Sequence, residues 1–177
     1  ATLNPEAADA ETAATLDAIR AKLGMVPNLY ATLAKAPAAL HALLEINRAV
    51  AAGGLTARER EIVALATSQA NGCGYCLSAH TLLGKKAGLS VQQTILARGG
   101  RGSDERDTAI AAIARALAEN RGHLEPSALD RFKAASVTES DLLEIIANVA
   151  ATTLTNYTNN LARTEIDFPV VALQLVA

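Results

Sequence analysis

The side chains of this chain best suited to covalent chemistry lie in one stretch, EIVALATSQANGCGYCLSAH, residues 61–80. Cys73 and Cys76 are its two cysteines and form a C-x-x-C pair, with His80 four residues further on. If the chain is helical from Gly74 onward, Cys73, Cys76 and His80 fall at i, i+3 and i+7, so both sulfurs and the imidazole share a face. The thiolate is the reactive form of cysteine. Both cysteines sit at or just inside the expected helix N-terminus, where free N–H groups and the helix dipole favour negative charge. His80 can take the Cys76 proton or stabilise its thiolate, and Glu61, one helix upstream, can orient the imidazole directly or through water. A second sulfur at i+3 can close a disulfide once the first is oxidised. The cycle these residues suggest runs from dithiol to disulfide and back.

Such side chains need a helical frame, and the rest of the chain reads as one. Thr56 and Glu59 have the T-x-x-E spacing of a capping box. The helix they open carries Ile62, Leu65, Ala66 and Gln69 on one face, with Glu61 near its edge. Asn71-Gly72 should stop it, and the cysteines open the next helix, to about Gly88. Upstream, Asn4-Pro5-Glu6 reads as a helix start with Asn4 as cap, followed by Leu16, Ile19 and Leu23 at helical spacing and a stop at Gly24. After the break GMVPN, Asn28 can cap a brief helix through Lys35. Pro37 opens another, with Leu40, Leu43, Leu44 and Val50 as its stripe and Gly53-Gly54 as its end.

Downstream, Ser90 can cap a short helix ending at Gly99-Gly100, and Ile110, Ile113, Ala114 and Leu117 repeat at helical spacing between Asp104 and Asn120. Pro126 to Ala135 is shorter. Thr138 with Asp141 opens a long helix to about Arg163. No strand pattern stands out, although the apolar tail VVALQLVA after Pro169 can be extended. The expectation is an all-α fold, a compact single domain over residues 1–177 with roughly seven to nine helices, a redox core at about 55–90 and a C-terminal tail at 167–177. A faint echo suggests an internally duplicated helical unit: a shift of 82 lays Leu55-Thr56 on Val137-Thr138 and Gly74-Tyr75 on Asn156-Tyr157. The second copy has no cysteine, and Leu143 and Ala162 stand where Glu61 and His80 would be.

Half of the 177 residues are apolar and 3% are aromatic, so the core must be built from Ala, Leu, Ile and Val. A net charge of −2 argues against nucleic acid or an anionic membrane as partner. No apolar run reaches transmembrane length, and the acidic start lacks the pattern of a secretory signal, which makes a cytoplasmic location the expectation. There, cysteines at this spacing serve redox chemistry or a metal more often than a structural staple.

The pattern E-x11-C-x-Y-C-x3-H, here Glu61, Cys73, Tyr75, Cys76 and His80, resembles the alkylhydroperoxidase D-like branch of the carboxymuconolactone decarboxylase superfamily. KLGMVPNLYATLAKAP, NGCGYCLSAHTLLGKKAGLS and LTNYTNNLARTEIDFP resemble segments of its peroxidase-related members, so the likeness runs from about Lys22 to Pro169. It implies an all-helical fold, a homo-oligomer of trimers or multiples of trimers, and thiol-dependent reduction of a hydroperoxide with no metal or organic cofactor. Carried over residue by residue, Cys76 is the peroxidatic nucleophile, Cys73 the resolving cysteine, and His80 with Glu61 the proton relay. Helix-end activation alone would favour Cys73; the spacing to His80 tips the assignment to Cys76. An external thiol or disulfide reductant must then reset the pair.

Other readings stay open at this point. Cys73, Cys76 and His80 could be three zinc ligands, but no close fourth is present, His41 and His123 being distant in sequence. Members of the superfamily also include decarboxylase and lactone-processing enzymes, typically without this cysteine pair. A non-enzymatic redox sensor, whose disulfide switches helix packing, is the third class. Tyr75 either covers the thiol pocket or simply packs. Asn156, Tyr157, Asn159 and Asn160 line a polar pocket, form a subunit contact, or lie on an exposed face. Met25, Pro27 and Asn28 shape the mouth of the site or a plain turn, and Lys85-Lys86 complement the end of their helix.

Overall fold

The computed structural model describes residues 8–175. Among them are nine α-helices: α1 (Ala10–Leu23), α2 (Asn28–Leu33), α3 (Pro37–Ala51), α4 (Ala57–Ala70), α5 (Gly74–Lys86), α6 (Val91–Arg98), α7 (Glu105–Glu119), α8 (Pro126–Ala134) and α9 (Glu139–Ala162). The described residues contain no strand, and the tail after Arg163 is irregular rather than extended in a sheet. None of the helices is long and apolar enough to cross a membrane.

The helix ends follow from local chemistry. Thr56 with Glu59, Ser90 with Gln93 and Thr138 with Asp141 each close a reciprocal capping box, in which both N-terminal N–H groups find side-chain acceptors. The expected start at Asn4-Pro5-Glu6 lies outside the described residues; α1 opens at Ala10, where Asp9 Oδ1 accepts the Thr12 N–H at 2.8 Å. Of the three residues at helical spacing, Leu16 and Ile19 are buried, while Leu23 is 48% exposed at the end of the helix, where Gly24 turns the chain.

Asn28 corrects another expectation. It is the first residue of α2 rather than its cap, and the helix ends at Leu33, not Lys35. Pro27 precedes it and offers no side-chain acceptor. The Asn28 N–H instead donates to Asp167 Oδ2 at 2.7 Å, so a carboxylate from the C-terminal tail caps α2.

Helix α4 is the centre of the molecule. Ile62 through Ser68 are all buried, as expected of a helix with apolar and small residues around most of its circumference. It packs against α5, α6, α7 and α9. Ile62, Leu65, Ile110, Ile113 and Ile145 interlock in the larger core cluster. Full burial of each such side chain contributes about 1.5–3 kcal/mol. A second cluster joins α1, α2 and α3 through Leu16, Leu29, Leu40 and Leu43 to Cys73, Tyr75 and Cys76. The cysteines therefore sit where the two halves of the core meet.

Candidate functional site

Why α5 begins where it does decides the geometry of the site. Asn71 ends α4, and Gly72, at φ +63°, takes the left-handed conformation that ordinary residues avoid. The chain reverses there and leaves Cys73 as N-cap of α5, its Sγ accepting the Cys76 N–H at 3.3 Å. One turn past His80, Gly84 lets α5 lie close to α4: an added Cβ would stand 3.0 Å from Leu89 Cδ1 and 3.7 Å from Glu61 Cβ. That approach brings Glu61 of α4 to His80 of α5, with Oε2 and Nδ1 2.8 Å apart.

The sulfurs of Cys73 and Cys76 are 2.7 Å apart, with Cys73 as donor. Both are buried, at 0% and 2% exposure. Helix α9 supplies the other wall. Thr152, Thr155, Asn156 and Asn159 are buried polar residues at i, i+3, i+4 and i+7 of that helix. Asn159 Nδ2 donates to Cys76 Sγ at 3.3 Å, and Cys76 Sγ lies 3.9 Å from the Thr155 hydroxyl. Asn156 is held at both ends, accepting from Asn71 Nδ2 at 2.9 Å and donating to Ser68 Oγ at 3.1 Å.

The electrostatics separate the two thiols. The hydrogen bond from Cys73 is the largest influence on both: it pulls the Cys76 pKa below the ordinary thiol value and pushes that of Cys73 up. Burial adds to the rise at Cys73 and opposes the fall at Cys76. At Cys76 the Cys73 hydrogen bond, joined by the positive charge of His80 and the Asn159 N–H, outweighs that burial. Cys73 has the helix-end N–H, yet Cys76 is the more acidic sulfur. Burial also works against the His80 imidazolium, but the charge and hydrogen bond of Glu61, with Cys76 behind them, raise its pKa on balance.

Among the described residues no hydrogen bond joins His80 to Cys76; the two are coupled by charge across the site. The side chains of His80 and Glu61 keep 23% and 17% exposure, whereas both sulfurs are buried.

Tyr75 is buried, and its hydroxyl accepts the Leu29 N–H of α2 at 3.2 Å. Its ring meets Phe168 edge-on, 5.5 Å between centroids, and burial raises its pKa. It therefore ties α2 and the tail to the cluster that holds the cysteines, and its hydroxyl bonds to backbone rather than to a sulfur. Ile166 and Phe168 pack on the same cluster, and Arg98 fastens the tail through the Ala172 and Leu173 carbonyls, at 2.7 and 3.1 Å. Two surface grooves, of about 650 Å³ beside Gly102 and Phe132 and about 480 Å³ beside Leu117 and Leu142, do not reach the cysteines.

Of the residues expected from sequence, Glu61 and His80 meet across α4 and α5, and Cys73 and Cys76 meet at the start of α5 against α9. Pro27 is buried and Met25 exposed; Lys85 and Lys86 are exposed at the end of α5. Within the polar group on α9, Asn156 and Asn159 face inward, while Tyr157 and Asn160 face outward. Thr155, Asp167 and Leu29 were not anticipated. For Thr155 the signal was available, as a polar residue one helical turn before Asn159.

A family model described as the carboxymuconolactone decarboxylase family matches residues 37–119, a little under half of the chain but containing all four of these residues. The crystal structure of an alkylhydroperoxidase AhpD core, an uncharacterized peroxidase-related protein from Ralstonia eutropha JMP134, is 25% identical, with a TM-score of 0.81 over 96% of this chain and 90% of that one. The segment that carries the cysteines thus matches the carboxymuconolactone decarboxylase family, and the whole chain has the fold of that AhpD core. An uncharacterized peroxidase-related protein from Silicibacter sp. TM1040 shares the fold at 20% identity, with a TM-score of 0.75 over 94% of this chain and 87% of that one. So does the debrominase Bmp8, seen as a cysteine-to-alanine variant in complex with 2,3,4-tribromopyrrole, at 21% identity and a TM-score of 0.79 over 94% and 90%. No curated protein sequence matches the chain.

Proposed function

We propose that this protein is a thiol peroxidase that reduces hydroperoxides through a Cys73–Cys76 dithiol–disulfide cycle. The observation that carries the reading is the geometry of Cys76: its sulfur lies 2.7 Å from that of Cys73 and accepts from Asn159, and one helical turn on His80 is held by Glu61 at 2.8 Å, a setting that lowers the Cys76 pKa. Cys76 thiolate attacks the outer peroxide oxygen; the S–O bond forms, the O–O bond breaks, and the departing alkoxide takes a proton from the His80 imidazolium. Cys73 then attacks the sulfenic sulfur, giving the disulfide and water. Two thiols are oxidised for each hydroperoxide reduced to an alcohol and water. An external thiol or disulfide reductant resets the pair.

The sulfurs are sealed, so substrate entry requires the roof of α2, Ile166 and Phe168 to move. We also place a homo-oligomer contact, as trimers or multiples of trimers, on the outer face of α9. Leu143, Ile146, Leu154, Tyr157 and Leu161 are exposed there, Leu161 at 89%. Sedimentation of the protein with Leu161→Glu tests it: wild-type protein should run as an oligomer and the variant dissociate.

Free thiols counted after one equivalent of cumene hydroperoxide test the chemistry. Wild type should lose two thiols rapidly and Cys76→Ser none. Unreactive wild-type thiols would overturn the reading. Because a debrominase shares the fold, the assay runs in parallel with a bromopyrrole as the competing electrophile.

A further inference from the structure

Helix α9 presents two side chains to Cys76 with opposite hydrogen-bonding characters. The Thr155 hydroxyl hydrogen is committed to the Thr152 carbonyl at 2.8 Å, so toward Cys76 this oxygen can only accept. It suits the protonated thiol. Asn159 donates its Nδ2–H to the same sulfur at 3.3 Å and suits the thiolate. The other end of that amide is anomalous. Asn159 is 3% exposed, and its Oδ1 is a buried acceptor with no hydrogen-bond partner. Asn156, almost one turn earlier, has both ends satisfied. A buried amide oxygen without a donor is unfavourable unless some state of the site supplies one.

The state that does so is the oxidised one. Neither sulfur can serve as that donor in the thiolate form, where Cys76 has no proton and the S–H of Cys73 is donated to Cys76 Sγ. Attack on a hydroperoxide converts Cys76 Sγ from an acceptor into S–OH, a hydroxyl donor beside Asn159.

We propose that Asn159 is a catalytic residue of the first half-reaction: its N–H holds the Cys76 thiolate for attack, and its free Oδ1 accepts the hydroxyl of the Cys76 sulfenic acid. The inference rests on the peroxidase reading for its second part only. In the first step the sulfur electron pair forms S–O as O–O breaks, the leaving alkoxide is protonated by His80, and Asn159 changes no covalent bond. In the second step Cys73 displaces the hydroxyl, which leaves as water, and Oδ1 loses its donor again.

Cys73→Ser leaves one thiol, so ultraviolet absorbance at the thiolate band, followed against pH, reports Cys76 alone without requiring reagent access. Adding Asn159→Leu should move its midpoint up by about one pH unit. Asn159→Asp, which keeps the side-chain shape and sets a carboxylate beside the sulfur, should move it further. Circular dichroism and melting identify a variant that has not folded; if leucine fails there, aspartate carries the test. The sulfenic acid formed by one equivalent of cumene hydroperoxide, trapped with dimedone, should decay several-fold faster in Asn159→Leu, but no faster in Asn159→Asp, whose carboxylate still accepts the hydroxyl. Unchanged midpoints in folded variants would overturn the thiolate role, and either an unchanged decay with leucine or a faster decay with aspartate would overturn the Oδ1 role. A protein that forms no sulfenic acid but shows the shifted midpoints refutes the peroxidase reading and the Oδ1 role, while upholding the contact to the thiolate.

Discussion

Residues 55–80 and 137–162 begin alike and end differently. Each opens with a buried aliphatic residue, Leu55 or Val137, followed by a threonine that closes a capping box with a carboxylate three residues on. Arg106 of α7 joins the two boxes, reaching Glu59 at 2.7 Å and Asp141 at 3.1 Å. The first segment breaks at Asn71-Gly72; at the equivalent point of the second, Thr153-Leu154 continues α9 without interruption. The break creates a new helix N-terminus, and Cys73 occupies it. The unbroken helix has no such end, and its residues at the shifted positions of Cys73 and Gly74 are Thr155 and Asn156, which face the dithiol from the other side. Tyr75 is buried and its counterpart Tyr157 is 63% exposed. Similar starts therefore yield a cysteine-bearing turn in one case and the wall that faces it in the other.

The largest difference between the segments is the Glu61–His80 pair, which the second replaces with Leu143 and Ala162. Imposing that replacement at one position, as His80→Ala, should slow peroxide-dependent thiol loss by roughly 100- to 10,000-fold, the range for removing a positioned acid–base group. The pH profile gives the sign. Cys76 has a lowered pKa and must be deprotonated, so the rate rises through a pH below the ordinary thiol value. His80 has a raised pKa and must be protonated, so the rate falls as pH rises through a value above the ordinary imidazole range. Wild type should give a bell-shaped profile, and His80→Ala should lose the alkaline limb. A retained alkaline limb would remove His80 from the relay.

The next difference is the turn itself. Gly72→Ala places a Cβ in open space, so its cost is conformational and not steric. A left-handed alanine costs about 1–2 kcal/mol, which in a chain of this size lowers Tm by about 2–8 °C. Thermal melting checks this, and an unchanged Tm would mean that the break does not depend on the left-handed residue. The same substitution at Gly84 meets Leu89 at 3.0 Å and should also loosen the Glu61–His80 contact, visible as a narrower bell.

Much of this frame was legible because its signals are local. Thr56, Ser90 and Thr138 announced their helices, Asn71-Gly72 announced the break, and the spacing of Cys73, Cys76 and His80 announced a common face. What escaped was supplied from far along the chain. Asn28 looked like a cap, but its own N–H is satisfied by Asp167, 139 residues away. Tyr75 could not be assigned from its motif, since its hydroxyl answers to Leu29 on α2. Asn159 was one of four polar candidates on α9, and only the rotation of that helix against α4 and α5 distinguishes it from Asn160. Helix starts can be read from neighbours in sequence; which face of a helix is used cannot.

The smallest effect tests whether the two beginnings are energetically one unit. Thr56→Ala and Thr138→Ala each remove a capping side chain and should each cost about 1 kcal/mol. If the boxes were independent, the double variant would lose the sum. They share Arg106, whose guanidinium also donates to the Ser136 carbonyl at 2.6 Å, so loosening one carboxylate lets the arginine follow the other. The double variant should therefore lose less than the sum, with a coupling of about 0.5 kcal/mol in denaturant unfolding. Ser90→Ala provides the control, because the Ser90–Gln93 box has no contact with Arg106 and its loss should add to that of Thr56→Ala. Coupling of equal size in both pairs would place it in the general cooperativity of the core. Coupling confined to Thr56 and Thr138 would make Arg106 the link that holds the cysteine-bearing turn and its wall in register.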